Sequence, residues 1–312
     1  MNQLPLSETQ TPADQTAVTE LVRRAAAAGT PVYPIGGGTN QGYGATPTEP
    51  GIGLSLAGLR RVVDYPARDL TITVEAGVTL AALAKRLAAE GQRLPVDVPY
   101  PDQATVGGAA AAGASGPRRC RWGAMRDYTI GLTAVNGCGE VFCGGGRVVK
   151  NAAGYDLCRL STGALGTLGV IVQATLMVKP LPETSALVAC SLSDLDAAEP
   201  LLAGMMRTKT VPSAIELLAG PAWENDPAVG GGACAARLVV GFEGTLGEVE
   251  WMLDRLGQEW REAGVSAAAT LVGTRAEPLW DRLTEFRRPA PDDSAQPATL
   301  EINVLPSAVV PT

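Results

Sequence analysis

Three glycine-rich segments are the residues of this sequence best suited to chemistry. They are Pro34-Ile35-Gly36-Gly37-Gly38-Thr39-Asn40, then Thr105-Val106-Gly107-Gly108 running to Gly113-Ala114-Ser115-Gly116, then Gly163-Ala164-Leu165-Gly166-Thr167-Leu168-Gly169-Val170-Ile171. Glycine lets the backbone approach a ligand closely and turn with positive φ. Consecutive N–H groups in such turns make a concave receptor for an anion. A single loop of this kind is as readily a plain surface turn. Three of them, each beside an apolar strand-like run, point to one large phosphorylated cofactor. The first loop follows a strand without opening a helix, and no glycine precedes a lysine, so the Rossmann and Walker patterns are both excluded.

Other chemistry is excluded by composition. The 312 residues contain no histidine, which removes Ser-His-Asp catalysis, histidine metal sites and a histidyl-linked flavin. The net charge of −7 and the lack of a basic run argue against nucleic acid. Six cysteines, Cys120, Cys138, Cys143, Cys158, Cys190 and Cys234, form no C-x-x-C pair and read as reduced structural thiols in a cytoplasmic protein. The polar residues 1–15 carry no signal-peptide core. No apolar run reaches the roughly 20 residues of a membrane helix.

The elements that must position the glycine segments are legible from caps and periodicity. Thr11-Pro12-Ala13-Asp14 reads as a helix start, followed by Val18, Leu21, Val22, Ala25 and Ala26 at helical spacing and by Gly29 as a stop. Residues 31–35 form a short strand. Residues 70–76 alternate as a half-buried strand. Thr79 caps a helix with Leu80, Leu83, Ala84 and Leu87 on one face. Asn136-Gly137 signals a tight hairpin between strands at 130–135 and 140–143. A long alternating strand runs over 167–178, and Pro180-Leu181-Pro182 breaks the chain.

Beyond that break the order is strand 186–192, helix 195–206, strands 214–218 and 238–242, the capping box Thr245-Leu246-Gly247-Glu248 with its helix, and strand 267–272. This is the β-α-β-β-α-β order of a ferredoxin-like unit. A helix at 278–287 and a strand at 300–305 begin what reads as a second, incomplete repeat. The expected division is 1–182 and 183–312.

The first 182 residues resemble the FAD-binding domain of the vanillyl-alcohol oxidase and p-cresol methylhydroxylase (PCMH-type) superfamily. The resemblance rests on Pro34–Asn40, on Pro101-Asp102-Gln103-Ala104-Thr105-Val106-Gly107-Gly108 through Gly116 with Trp122-Gly123-Ala124-Met125-Arg126-Asp127, and on Val149-Lys150-Asn151-Ala152-Ala153-Gly154-Tyr155-Asp156-Leu157 followed by Gly163–Ile171. The last pair is similar to the small FAD-binding subunits of bacterial glycolate oxidase. The resemblance implies an α+β fold: a two-subdomain FAD-binding domain and a ferredoxin-like cap, shorter here than in the family.

It also implies non-covalent FAD held by Ile35, Gly36, Gly37, Gly38, Thr39, Asn40, Pro101, Thr105, Val106, Gly107, Gly108, Gly113, Ala114, Ser115 and Gly116, with Gly169, Val170 and Ile171 near the flavin or adenine. The implied reaction is oxidation of a small 2-hydroxyacid to a 2-oxoacid. The implied partners are a larger FAD-containing subunit and an iron–sulfur subunit, through which a cytoplasmic chain could lie against the inner membrane. Related catalytic D-2-hydroxyacid dehydrogenases carry Glu where Leu165 stands, and use cap histidines and a metal that this chain cannot supply. A self-sufficient oxidoreductase and a non-catalytic flavin-binding assembly subunit are the alternatives.

The remaining candidates each have a structural reading beside the functional one. Arg118, Arg119 and Arg126 could attract a carboxylate or sit in a solvated loop. Lys150, Asn151, Tyr155 and Asp156 could line the flavin, or Lys150 could pair with Asp156. Cys120 reads as a packed or partly exposed thiol, and Trp251 and Trp260 as cap packing or interface. No catalytic base can be named.

Overall fold

Asp14 opens the first helix. In the computed structural model, which describes residues 4–43, 45, 47–146 and 154–286, its carboxylate accepts the Ala17 N–H at 2.9 Å. The cap is Asp14 and not Thr11, because helical geometry starts only at Gln15, directly after Asp14. β1 (Leu6–Gln10), α1 (Gln15–Ala27), β2 (Val32–Ile35) and β3 (Gly51–Ser55) make a small parallel layer ordered β1-β3-β2. Val18, Leu21, Val22 and Ala25 are buried on one face of α1, and Gly29 ends it at φ +65°.

The next layer contains β4 (Val62–Asp64), β5 (Thr71–Glu75), α2 (Leu80–Ala88), β6 (Gln92–Arg93), α3 (Val106–Ala112), α4 (Arg119–Trp122), α5 (Met125–Tyr128), β7 (Thr129–Val135), β8 (Val141–Gly145), α6 (Leu157–Ser161), β9 (Val170–Met177) and β10 (Lys179–Pro180). Five of the strands form an antiparallel sheet ordered β4-β5-β9-β7-β8. β5 alternates as expected, but all five of its residues are buried. Ile72 and Val74 enter the core. Two of its polar side chains are bonded: Thr73 Oγ1 meets Thr175 Oγ1 at 3.0 Å, and Glu75 accepts from Arg61 N and Nε at 2.7 and 2.9 Å; the buried Thr71 hydroxyl has no partner. Thr79 caps α2 through the Ala82 N–H. Leu83 and Leu87 are buried, each contributing about 1.5–3 kcal/mol; Ala84 is exposed.

Two expectations shift here. β7 and β8 do pair, but residues 136–140 form a five-residue loop and not a tight turn. Asn136 Oδ1 accepts the N–H groups of Cys138 and Glu140, and the positive φ falls at Gly139 and not Gly137. β9 begins at Val170, because Gly169 at φ +148° ends the preceding turn.

The second unit contains β11 (Thr184–Leu192), α7 (Ala198–Met205), β12 (Ala214–Ala219), β13 (Ala236–Gly244), α8 (Leu246–Glu262), β14 (Ala269–Val272) and α9 (Glu277–Thr284). The sheet order is β12-β13-β11-β14 with every neighbour antiparallel. That is the ferredoxin-like arrangement read from the element order. α7 starts three residues later than expected, since Asp194 caps the preceding turn through Ala197 N. The Thr245–Glu248 capping box is formed at α8. One sheet face buries Leu238, Val240 and Phe242 against α7 and α8; the other buries Leu187, Ala189 and Val239 against Leu279 and Trp280 of α9. The expected strand at 300–305 lies outside the described residues.

The chain crosses between the two units three times. One unit takes residues 1–115 and 123–181, the other 116–122 and 182–312. A single cut at the proline-rich break leaves out the excursion of Gly116–Trp122, the continuation of the second glycine segment.

Candidate functional site

The first glycine segment lies against the second. β2 ends at the half-buried Ile35, and the chain turns at once. A Cβ on Gly36 would stand 2.4 Å from Thr105 Oγ1, and one on Gly37 would stand 1.8 Å from the Gln103 carbonyl. Only glycine permits that approach. Gly38 differs: it sits at φ +74° in open space, its nearest neighbour the Gln41 amide at 3.6 Å. Among the described residues, the N–H groups of Gly36, Gly37, Gly38, Thr39 and Asn40 have no acceptor within the chain. Free backbone donors at a glycine turn are what an anion receptor needs.

The second segment behaves differently. Thr105 caps α3 by accepting the Gly108 N–H at 3.2 Å. Val106 N donates to the Val78 carbonyl at 2.9 Å, Gly107 N to the Ala76 carbonyl at 2.8 Å, and Ala109 N to Thr105. Gly107 and Gly108 therefore do not present free N–H groups to an anion, as the sequence suggested. Gly107 serves close packing, since a Cβ there would meet Ala76 Cβ at 2.6 Å. The Pro101 carbonyl accepts from Ala81 N at 2.9 Å. Gly113 closes α3 in the left-handed region, and Ala114 N reaches back to Ala109 O at 2.9 Å. Ser115 and Gly116 follow, half-buried.

The third segment takes up the carbonyls left at the end of α3. Gly163 N donates to Ala110 O at 2.9 Å and Leu165 N to Ala111 O at 2.8 Å. A Cβ on Gly113 would stand 3.1 Å from Gly163 Cα, and one on Gly166 would touch Pro34. Gly169 admits no side chain, with Val135 O only 2.6 Å from its Cβ position. Val170 and Ile171 are buried in β9. All three segments are thus gathered around one short helix. Two bulky residues beside them, Tyr100 at φ +56° and Leu165 at φ +54°, occupy the left-handed region, at roughly 1–2 kcal/mol each. Strain of this kind clusters at ligand sites. Nothing in residue type or spacing marks it.

The arginines separate. Arg118 is no carboxylate receptor: its Nε donates to Glu243 at 2.7 Å and its guanidinium lies 3.9 Å from the centre of the Trp280 ring. Arg119 is exposed. Arg126 is exposed too, and lines a cleft of about 250 Å³ with Thr129, Tyr155 and Arg159. Asp156 caps α6 and pairs with Arg159 at 3.3 Å; Lys150 and Asn151 lie outside the described residues. Trp260 is buried in the cap core and Trp251 is exposed on α8. Three carboxylates of the second unit, Asp194, Glu248 and Glu259, are held below their ordinary range. Backbone hydrogen bonds from Ala197 and Thr245 lower the first two. At Glu259 burial acts upward and is outweighed by bonds from Thr208, Lys209 N and Arg255. None of these three is poised as a base near neutrality. Among the described residues no group of three potential ligands could hold a metal.

Burial, and then the neighbouring Glu216 carboxylate, push the Cys120 thiol above its ordinary value. A group so placed is a poor thiolate. Two results are expected: slow alkylation of Cys120 at pH 7, quickening as pH rises past the ordinary thiol range, and full release of flavin into the supernatant when the FAD-loaded protein is precipitated with acid. Flavin retained on the pellet would show a covalent anchor.

Residues 9–144 match the family described as an FAD binding domain. Glycolate oxidase subunit GlcD of Bacillus subtilis is 33% identical over 191 residues, 61% of this chain and 41% of that protein. Glycolate oxidase subunit GlcE of Escherichia coli is 41% identical over 127 residues, 40% of this chain and 36% of the relative. A D-lactate dehydrogenase of Archaeoglobus fulgidus is 33% identical over 228 residues, 72% and 50%. The chain therefore spans half or less of the length of these relatives. In solved structures, p-cresol methylhydroxylase with substrate bound superposes with a TM-score of 0.71 at 16% identity, covering 91% of this chain and 65% of that one. An alkyldihydroxyacetonephosphate synthase gives 0.73 at 18%, covering 89% and 55%. At these identities the structures show a shared fold.

Proposed function

We propose that this chain, whose residues 9–144 match an FAD binding domain, is a PCMH-type FAD-holding subunit of a glycolate oxidase-type complex oxidising a 2-hydroxyacid to a 2-oxoacid. The observation that carries the reading is the row of free N–H groups from Gly36 to Asn40, joined to a sequence without histidine. FAD, when bound, supplies the two-electron chemistry, and the protein supplies binding and orientation.

This chain's residues divide that task. The Gly36–Asn40 donors suit the pyrophosphate, and the Thr39 hydroxyl and Asn40 amide add polar contacts. Gly37, Gly107 and Gly169 contribute by having no side chain where two backbones meet. Abstracting the hydroxyl proton of the substrate needs a base tuned near the working pH. Tyrosine and lysine titrate about 3 units above neutrality unless perturbed, and the carboxylates that the surroundings visibly shift are lowered. The proton acceptor therefore belongs to a partner: a larger FAD-containing subunit, with an iron–sulfur subunit as electron acceptor. No helix among the described residues is long and apolar enough to cross a membrane.

The test is anaerobic mixing of the pure FAD-loaded chain with glycolate or D-lactate. We expect the visible flavin band to persist for minutes and to bleach once the larger subunit is added. Bleaching within seconds by the chain alone would make it a self-sufficient enzyme. No bleaching even in the complex would make it a flavin-binding assembly subunit.

A further inference from the structure

A cleft of about 240 Å³ opens in the second unit between α7, the turn that follows it and the last turns of α8. Its floor is apolar: Leu201, Met205, Leu256 and Trp260 line it, and all four are buried. Arg207 and Lys209 line it too, and both are exposed. Among the described residues neither of these cationic side chains has a hydrogen-bond or ion-pair partner. Trp260 is 3% exposed, and its buried indole N–H meets no acceptor. Buried tryptophans usually find one, and a donor left without is costly.

Structural duty accounts for the other polar groups of the cleft. Glu259 is fully engaged: it accepts from Thr208 Oγ1 at 2.6 Å, Lys209 N at 3.2 Å and Arg255 Nε at 2.9 Å. Arg255 is taken by the same contact. Cations near a helix C-terminus often serve its last carbonyls, but here the backbone does so. Met206 N donates to Leu202 O and Arg207 N to Gly204 O, while Gly264 N donates to Arg261 O and Val265 N to Trp260 O. Arg207 and Lys209 are therefore not needed as caps. Apart from Glu259 the lining holds one acid, Glu262, which is exposed at the end of α8. The uncommitted charges are two cations against one acid.

We propose that this cleft binds a small apolar monocarboxylate. The apolar body covers the floor, Arg207 and Lys209 supply counter-charge, and the carboxylate accepts from the Trp260 indole. The volume sets the size. It lies below the roughly 300–1,000 Å³ of sites for drug-sized ligands, so it suits a short acyl chain or a single ring and not a nucleotide. Inorganic phosphate would leave the floor uncovered. The lining comes wholly from the second unit, so the proposal goes beyond the flavin reading and does not depend on it.

The experiment titrates the full chain, carrying isotope-labelled tryptophan, with hexanoate, and with hexanol, glycolate and inorganic phosphate beside it. Hexanoate is expected to move one indole N–H resonance saturably, the one that Trp260→Phe removes. Hexanol, glycolate and phosphate should act about 10-fold more weakly or not at all. Arg207→Ala combined with Lys209→Ala changes only exposed side chains, and should raise the hexanoate Kd about 10-fold or more at an unchanged unfolding temperature. Gly204→Leu is an independent check. Gly204 lines the cleft, and a Cβ there meets nothing within 4 Å. Leucine is the better helix former, so this variant should be at least as stable as wild type and closed to hexanoate. Should Trp260→Phe fold poorly, calorimetric titration of wild type against these two variants decides. A Trp260 signal indifferent to hexanoate would overturn the proposal, as would unchanged affinity in either variant. Hexanol binding as tightly as hexanoate would reduce the cleft to an apolar hollow, and phosphate or glycolate doing so would remove the role of the floor; either result overturns the proposal.

Discussion

Gly38→Val is expected to give a folded chain that no longer retains FAD, with affinity falling at least 100-fold, about 2.7 kcal/mol. Gly38 stands at φ +74°, where a β-branched residue is strongly disfavoured. Its surroundings are open, so a side chain there meets no backbone. The penalty is therefore local. The turn changes its dihedrals, and the free N–H groups of Gly36–Asn40 are no longer presented in the wild-type arrangement. The apo-protein should unfold within a few degrees of wild type.

Gly37→Val makes the contrast. Its Cβ would fall 1.8 Å from the Gln103 carbonyl, so it should lose FAD and thermal stability together. FAD titration beside calorimetry of both apo-variants separates the two effects. A Gly38→Val protein that binds FAD as wild type does would remove the first glycine segment from the cofactor site.

The second large effect is one of stability. Arg237→Met should cost the cap about 2–4 kcal/mol, the effect of removing the donor from several backbone carbonyls, or a fall of roughly 10–15 °C in its unfolding temperature. Arg237 is 1% exposed on β13. Its Nη1 donates to Trp223 O at 2.8 Å, and its Nη2 to Gly231 O and Gly232 O at 2.6 and 2.7 Å. Gly230, Gly231 and Gly232 all have positive φ, which lets the loop turn carbonyls onto the guanidinium. Methionine fills similar space but leaves those carbonyls without a donor, at about 1–3 kcal/mol for the buried Trp223 carbonyl and less for the part-buried glycine carbonyls. Proteolysis should then cut within 220–235 before wild type is touched there. A loss below about 1 kcal/mol would mean that water or another group replaces the guanidinium.

The sequence by itself determined what depends on neighbours along the chain. Thr79 and the Thr245–Glu248 box cap their helices because a cap needs only the next turn. The β-α-β-β-α-β order of the second unit became the observed sheet order because those crossovers have few alternatives. The three glycine segments were visible as glycine. Their division of labour was not. Tertiary structure decided that the N–H groups of Gly36–Asn40 stay free while Gly107 N is taken by Ala76 and Gly108 N by Thr105. It placed Tyr100 and Leu165 at positive φ, and it took Arg118 from any substrate and gave it to Glu243. In the Gly107, Arg118 and Leu165 cases the partner comes from another part of the chain. Whether a donor or a charge is available to a ligand depends on which distant group reaches it first, and that is known only once the chain has closed on itself.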